Sequence, residues 1–153
     1  MIKDAYAQLK KEHPILPDFD KINKEFQLST IESEDFLLSE IKERIEDTIE
    51  PVIQVLERIV QPDPNMLSDM YESTCFTKGE KDQLFNIYRT LMQTFRLLLE
   101  TDLQKEDKTD AETIKKTYEE WQTIRKQVAP YVKKMREHWQ KHFEPKEILE
   151  YLG

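Results

Sequence analysis

The sequence predicts an all-α helical bundle: three long helices, two of them kinked at a proline, with shorter helices packed around them. Three observations lead there. Apolar residues recur at intervals of three and four over long stretches, the spacing that lines one face of a helix. Three tetrads beginning at Ser29, Thr77 and Thr109 place a glutamate three residues after a hydroxyl, the pattern in which both side chains satisfy free backbone donors at a helix start. Finally, 35% charged against 38% hydrophobic residues, with only seven prolines, suits helices covered by charge rather than a disordered chain. A length of 153 residues can bury one continuous core, so a single domain over 1–153 is expected.

Residues 1–28 read as short helices. The first covers Ile2 to Glu12 and stops at His13-Pro14, because proline disfavours helical geometry in the residue before it. Asp18 is placed to cap a second, whose apolar side carries Phe19, Ile22, Phe26 and Leu28. The first long helix, residues 29–61, should open at the Ser29 tetrad. Its stripe is Leu37, Ile41, Ile45, Ile49, Val52, Leu56 and Ile59, flanked by Phe36, Leu38, Ile53 and Val60. Pro51 lies inside the stripe with no turn residues around it, so a bent helix is expected rather than two.

The run Gln61-Pro62-Asp63-Pro64-Asn65 breaks the chain, with Asp63 as cap and Pro64 as first residue of a short helix through Tyr71, and a loop from Glu72 to Phe76. The Thr77 tetrad opens the second long helix, residues 77–103. Leu84, Phe85, Ile87, Tyr88, Leu91, Met92, Phe95, Leu98 and Leu99 cover half its circumference, so it should be the most buried. Gln104 to Lys108 reads as a connector. The Thr109 tetrad then opens the third long helix, residues 109–143, whose seam is Ile114, Tyr118, Trp121, Arg125, Val128, Val132, Met135, Trp139 and His142, kinked at Pro130. Residues 144–153 form a final turn or two in which Ile148, Leu149, Tyr151 and Leu152 dock back.

Several kinds of chemistry are excluded or weakened. Gly79 and Gly153 are the only glycines, and neither sits in a strand-to-helix turn, so phosphate-cradling loops are absent. No Glu-x-x-His pair of a di-iron bundle and no His-Glu-x-x-His zinc site occurs. Cys75 is the lone cysteine, which rules out an internal disulfide and suits a reducing compartment; it reads as a passive thiol. No run is long enough to span a bilayer and the N-terminus lacks a basic-then-apolar leader pattern, so a cytoplasmic protein without a membrane partner is expected. The net charge of -8 argues against a broad nucleic-acid surface.

Charge is nonetheless uneven. Glu32 to Glu50 is strongly acidic, whereas Gln122 to His142 carries Arg125, Lys126, Lys133, Lys134, Arg136 and Lys141 against Glu137. Lys133, Lys134, Arg136 and Lys141 are therefore candidate binding residues for phosphate or acid. His138 and His142, four apart on one helical face, are candidate ligands for a metal ion, lacking a fixed third ligand. Glu40, Glu43, Glu46 and Glu50 are similar to the spaced carboxylates by which all-α nucleotide pyrophosphatases hold magnesium. Those enzymes also need a second acidic cluster aimed at the same point; here Leu37, Ile41, Ile45 and Ile49 define the inward stripe, so the four glutamates point to solvent and read as a solvated face. Arg136, followed by His142, resembles the Arg-x4-6-His motif of the HEPN family of small all-α ribonucleases; that resemblance implies a dimer in which these two residues position a phosphate and assist cleavage.

The expectation that remains is a non-enzymatic protein-protein interaction or adaptor module without a cofactor, partnered by another protein or by itself. Its seam carrying Trp121 and Trp139 is the candidate dimer face. An RNA-binding or RNA-cleaving role on the basic C-terminal helix is the alternative.

Overall fold

The computed structural model describes residues 1–152, with side chains as far as Ile148. The class is all-α: seven α-helices and one 3-10 turn, with no strand among the described residues. The helices are α1 (Ile2–Glu12), α2 (Phe19–Phe26), α3 (Leu37–Val60), α4 (Leu67–Ser73), α5 (Lys78–Gln104), α6 (Asp107–Trp139) and α7 (Pro145–Leu152). Pro51 and Pro130 both lie inside continuous helix. The chain forms two compact units, one of Met1–Pro51 with Met92–Gln122, the other of Val52–Leu91 with the residues from 123 on.

In the first unit, α1, α2 and the 3-10 turn Leu28–Thr30 pack on one another. Tyr6 donates a hydrogen bond to the Pro17 carbonyl at 2.5 Å, tying α1 to the linker that follows it. Asp18 holds the capping position of α2, but its carboxylate takes Lys10 instead of a backbone donor. Ile22, Phe26, Leu28, Ile41, Ile45, Ile49, Leu98, Ala111 and Ile114 are almost wholly buried. Burial of this kind contributes about 25 cal/mol per Å² of apolar surface and dominates the cohesion of the unit. Thr94, Thr101, Thr113 and Thr117 sit in the same core. Thr101 and Thr117 donate to carbonyls three or four residues back in their own helices, which removes the cost of burying a hydroxyl.

The second unit centres on Ile53, Leu56, Ile59, Tyr71, Phe76, Leu84, Leu91, Ile124, Val128 and Met135. α7 packs on α4 and buries Ile148; the expected docking of Leu149, Tyr151 and Leu152 lies outside the described side chains. The Thr77 capping box is formed as read: Thr77 N–H donates to Glu80 Oε1 at 3.1 Å and Glu80 N–H to Thr77 Oγ1 at 3.2 Å.

The other two tetrads do not cap. Around Ser29 the local groups close the end of α2: Ser29 N–H goes to Asn23 Oδ1 at 2.8 Å and the Thr30 hydroxyl to the Gln27 carbonyl at 2.6 Å. α3 therefore starts at Leu37 and not near residue 29, and Phe36, expected beside the apolar stripe, is 86% exposed with a left-handed φ of 53°. At Thr109 the hydroxyl donates to Glu106 Oε2 at 3.0 Å, and α6 has already begun at Asp107. The connector shrinks to Lys105 and Glu106, with the turn taken at Lys105, φ 56°. Asp63 caps no helix either. It accepts from Asn65 N–H at 2.9 Å in a local turn, its own N–H goes to buried Asp69, and α4 starts at Leu67 and runs through Ser73, where a loop was expected from Glu72.

α5 is not the most buried helix. Only the seam Leu84, Leu91, Thr94, Leu98 and Thr101 is fully buried, while Phe85, Leu99 and Leu103 are exposed at 46%, 47% and 75%. Threonine at two seam positions shifts the buried face away from the residues that hydrophobicity alone selects. On α6 the buried residue between Trp121 and Val128 is Ile124; Arg125 is exposed, Val132 and Trp139 lie substantially in solvent, and the helix ends before His142. Trp121 is core, and its indole N–H has no acceptor among the described residues.

Candidate functional site

The most unusual group in the molecule is the Lys42 ammonium, on α3 in the first unit and only 2% exposed. A buried ammonium is tolerated only when paired and fully hydrogen-bonded. Lys42 Nζ donates to Asp102, to Asp110 Oδ1 at 2.8 Å and to Thr101 Oγ1 at 3.3 Å, so all three of its protons are placed. Burial acts to lower its pKa, but the hydrogen bonds and negative charge of Asp102 and Asp110 outweigh that and hold it above the ordinary lysine value. α5 supplies Thr101 and Asp102 from its last turn. α6 supplies Asp110 from its first, where it is 8% exposed and in helical phase with Ile114, Thr117 and Trp121.

These residues floor a cleft of about 650 Å³, lined also by Phe36, Ser39, Glu43, Glu46, Lys105 and Asp107. Five carboxylates share it with two ammonium groups, one of which is already neutralised at the floor. Burial raises the Glu46 pKa above the usual carboxylate value, reinforced by the negative charge of Asp102 and Glu43. The reading of the spaced glutamates as a solvated face thus fails at Glu46. Glu43 and Glu46 also share this cleft with a second acidic set, Asp102, Asp107 and Asp110. Between Asp102 and Asp110 stands the Lys42 ammonium, and among the described residues no three His, Cys, Asp or Glu side chains are arranged to hold a metal ion.

The residues singled out on the C-terminal helix lie in the second unit and do not converge. Arg136 is exposed on α6, whereas His142 lies beyond the helix end, 90% exposed, 3.4 Å from Glu144. His138 points elsewhere, stacked on Tyr71 with ring centroids 4.3 Å apart. Tyr71 also stacks on Phe143 at 3.9 Å and donates its hydroxyl to the His138 carbonyl. The Thr74 hydroxyl gives its proton to the Tyr71 carbonyl at 2.6 Å, so at 3.0 Å it accepts from His138, which puts the imidazole proton on Nε2. Burial lowers the His138 pKa, and the charges of Lys141 and Lys134 lower it further. Lys134 is committed to Glu80, at 2.8 and 2.9 Å, and Lys133 lies 3.9 Å from Glu137; Lys141 is exposed. Burial raises the Cys75 pKa, keeping the thiol protonated and unreactive at neutral pH.

The sequence carried a signal for the cleft. Lys42 is four residues after Leu38 and three before Ile45, which puts an ammonium in phase with the buried face of α3, and Asp110 is in phase with the seam of α6. A charge on an apolar stripe demands a partner, and each residue is the other's. The chain matches no protein-family model, and neither a curated protein nor a solved structure is significantly similar to it.

Proposed function

We propose that the chain is a non-enzymatic, cytoplasmic interaction module whose cleft receives a lysine- or arginine-bearing segment of a partner protein. The carrying observation is the charge of the cleft: with Lys42 neutralised internally, Glu43, Glu46 and Asp107 face the space against Lys105 alone. Phe36, at the cleft and 86% exposed, offers a ring to a guanidinium or to the aliphatic stem of a lysine. No helix among the described residues is long and apolar enough to cross a membrane, which agrees with a partner met in water.

Titration calorimetry with a hexa-arginine peptide, a neutral hexapeptide and magnesium chloride tests this reading. The expected result is saturable binding of the basic peptide alone, weakened about tenfold or more in Glu43→Gln/Glu46→Gln and falling with added salt, because exposed charge pairs are screened. Binding should also weaken as pH falls toward the raised Glu46 pKa, since protonation removes a negative charge from the cleft. No peptide binding, or binding indifferent to the glutamate substitutions, overturns the proposal. Heat with magnesium alone replaces it with a metal-dependent reading built on Glu43, Glu46, Asp107 and Asp110.

A further inference from the structure

On α5, in the first unit, Met92, Phe95, Leu99 and Leu103 follow one another at intervals of three, four and four, which places them on one face of the helix. That face is distinct from the seam Thr94, Leu98 and Thr101, which is buried in the unit's own core. Leu99 and Leu103 are 47% and 75% exposed. Met92 and Phe95 are half-buried beside them, so the apolar stripe, about 16 Å long, is partly open to solvent and most open at its C-terminal end.

We propose that this stripe is the twofold contact of a homodimer, in which the α5 segments of two copies lie antiparallel. The sequence of the stripe is self-complementary in that arrangement. Setting Met92 against Leu103 of the second copy brings Phe95 against its Leu99 within one residue, and the twofold repeats both contacts. Apart from Asp102, which is held by Lys42, the charged residues between 92 and 103 are Arg96 and Glu100, both exposed and of opposite sign. The same register brings Arg96 of each copy beside Glu100 of the other, whereas a parallel twofold puts the two Arg96–Glu100 flanks on opposite sides of the seam, where neither charge meets its opposite. Charge and apolar pattern thus select one occupant, a second copy, and one direction.

Sedimentation equilibrium of the full chain across the micromolar range should show a mass rising toward twice the 18.4 kDa of one copy. Leu99→Glu/Leu103→Glu should give the single-chain mass throughout, with the circular dichroism of the parent and the thermal midpoint the parent shows when diluted to the single-chain mass, because neither side chain belongs to the core. Arg96→Glu should weaken association about tenfold, and so should Glu100→Arg, while the two together restore it. A parent chain that stays at the single mass, or a dimer indifferent to Leu99→Glu/Leu103→Glu, overturns the proposal. A swapped pair that fails to recover overturns the antiparallel register. Co-sedimentation of a monomeric parent with phosphatidylcholine vesicles, lost in the leucine variant, assigns the stripe to lipid and overturns it as well.

Discussion

Removing the Lys42 ammonium leaves Asp110, 8% exposed, buried without a counter-charge. Breaking such a pair from one side typically costs about 3–5 kcal/mol. Lys42→Met should therefore lower the denaturant midpoint severely, and Asp110→Leu added to it should recover most of the loss, because no unpaired charge then remains; urea unfolding of the single and double variants measures both. The sign at alkaline pH follows from the raised Lys42 pKa: its stabilisation is complete below the unfolded lysine value and is lost as pH climbs through the folded one. His138 behaves oppositely. Its depressed pKa means the stacked, neutral ring contributes stability above the unfolded value of about 6.5, and that contribution disappears as pH falls through the folded value. The thermal midpoint of the parent should drop between about pH 7 and pH 5, and His138→Phe, which keeps a ring on Tyr71 but cannot take a proton, should flatten that interval.

At the scale of the element, the three hydroxyl-x-x-Glu tetrads show what a local pattern can and cannot say. The same spacing caps α5 at Thr77, closes the tail of α2 at Ser29, and falls within the first turn of α6 at Thr109. What separates them is which neighbour reaches the hydroxyl or backbone group first: Asn23 and Gln27 in one case, Glu106 in another. Thr77→Ala should accordingly destabilise by about 1 kcal/mol, the usual cost of a lost cap, whereas Thr109→Ala should change the thermal midpoint little. The helices themselves were legible wherever the apolar period was long, as along Ile41, Ile45, Ile49 and Leu56. The buried face of α5 was not, because Thr94 and Thr101 enter the core only by bonding their own helix or a neighbour, an option that hydrophobicity does not register.

For the molecule as a whole, the all-α class follows from periodicity and composition, and both are properties of the sequence alone. The cleft demanded more: Asp102 and Asp110 lie 60 and 68 positions from Lys42 along the chain, and only the phase of Lys42 and Asp110 with buried positions hinted that they meet. The basic residues near the C-terminus drew attention because they cluster in sequence, yet Lys134 is occupied by Glu80, while Arg136 and His142 fall on either side of a helix end. Clustering along a chain reports composition; convergence in space depends on the fold.

Each unit is assembled from two separated stretches, with residues 92–122 completing the first and residues from 123 on completing the second. During synthesis, the buried ammonium of Lys42 waits for Asp110, and the apolar faces of residues 1–51 wait for their partners on α5 and α6. Neither unit can close its core while only the first ninety residues have left the ribosome. Residues 1–51 and 52–91 therefore each expose an apolar face until residues 92–122 and those from 123 on have followed them out, which makes the closing contacts of both units long-range ones.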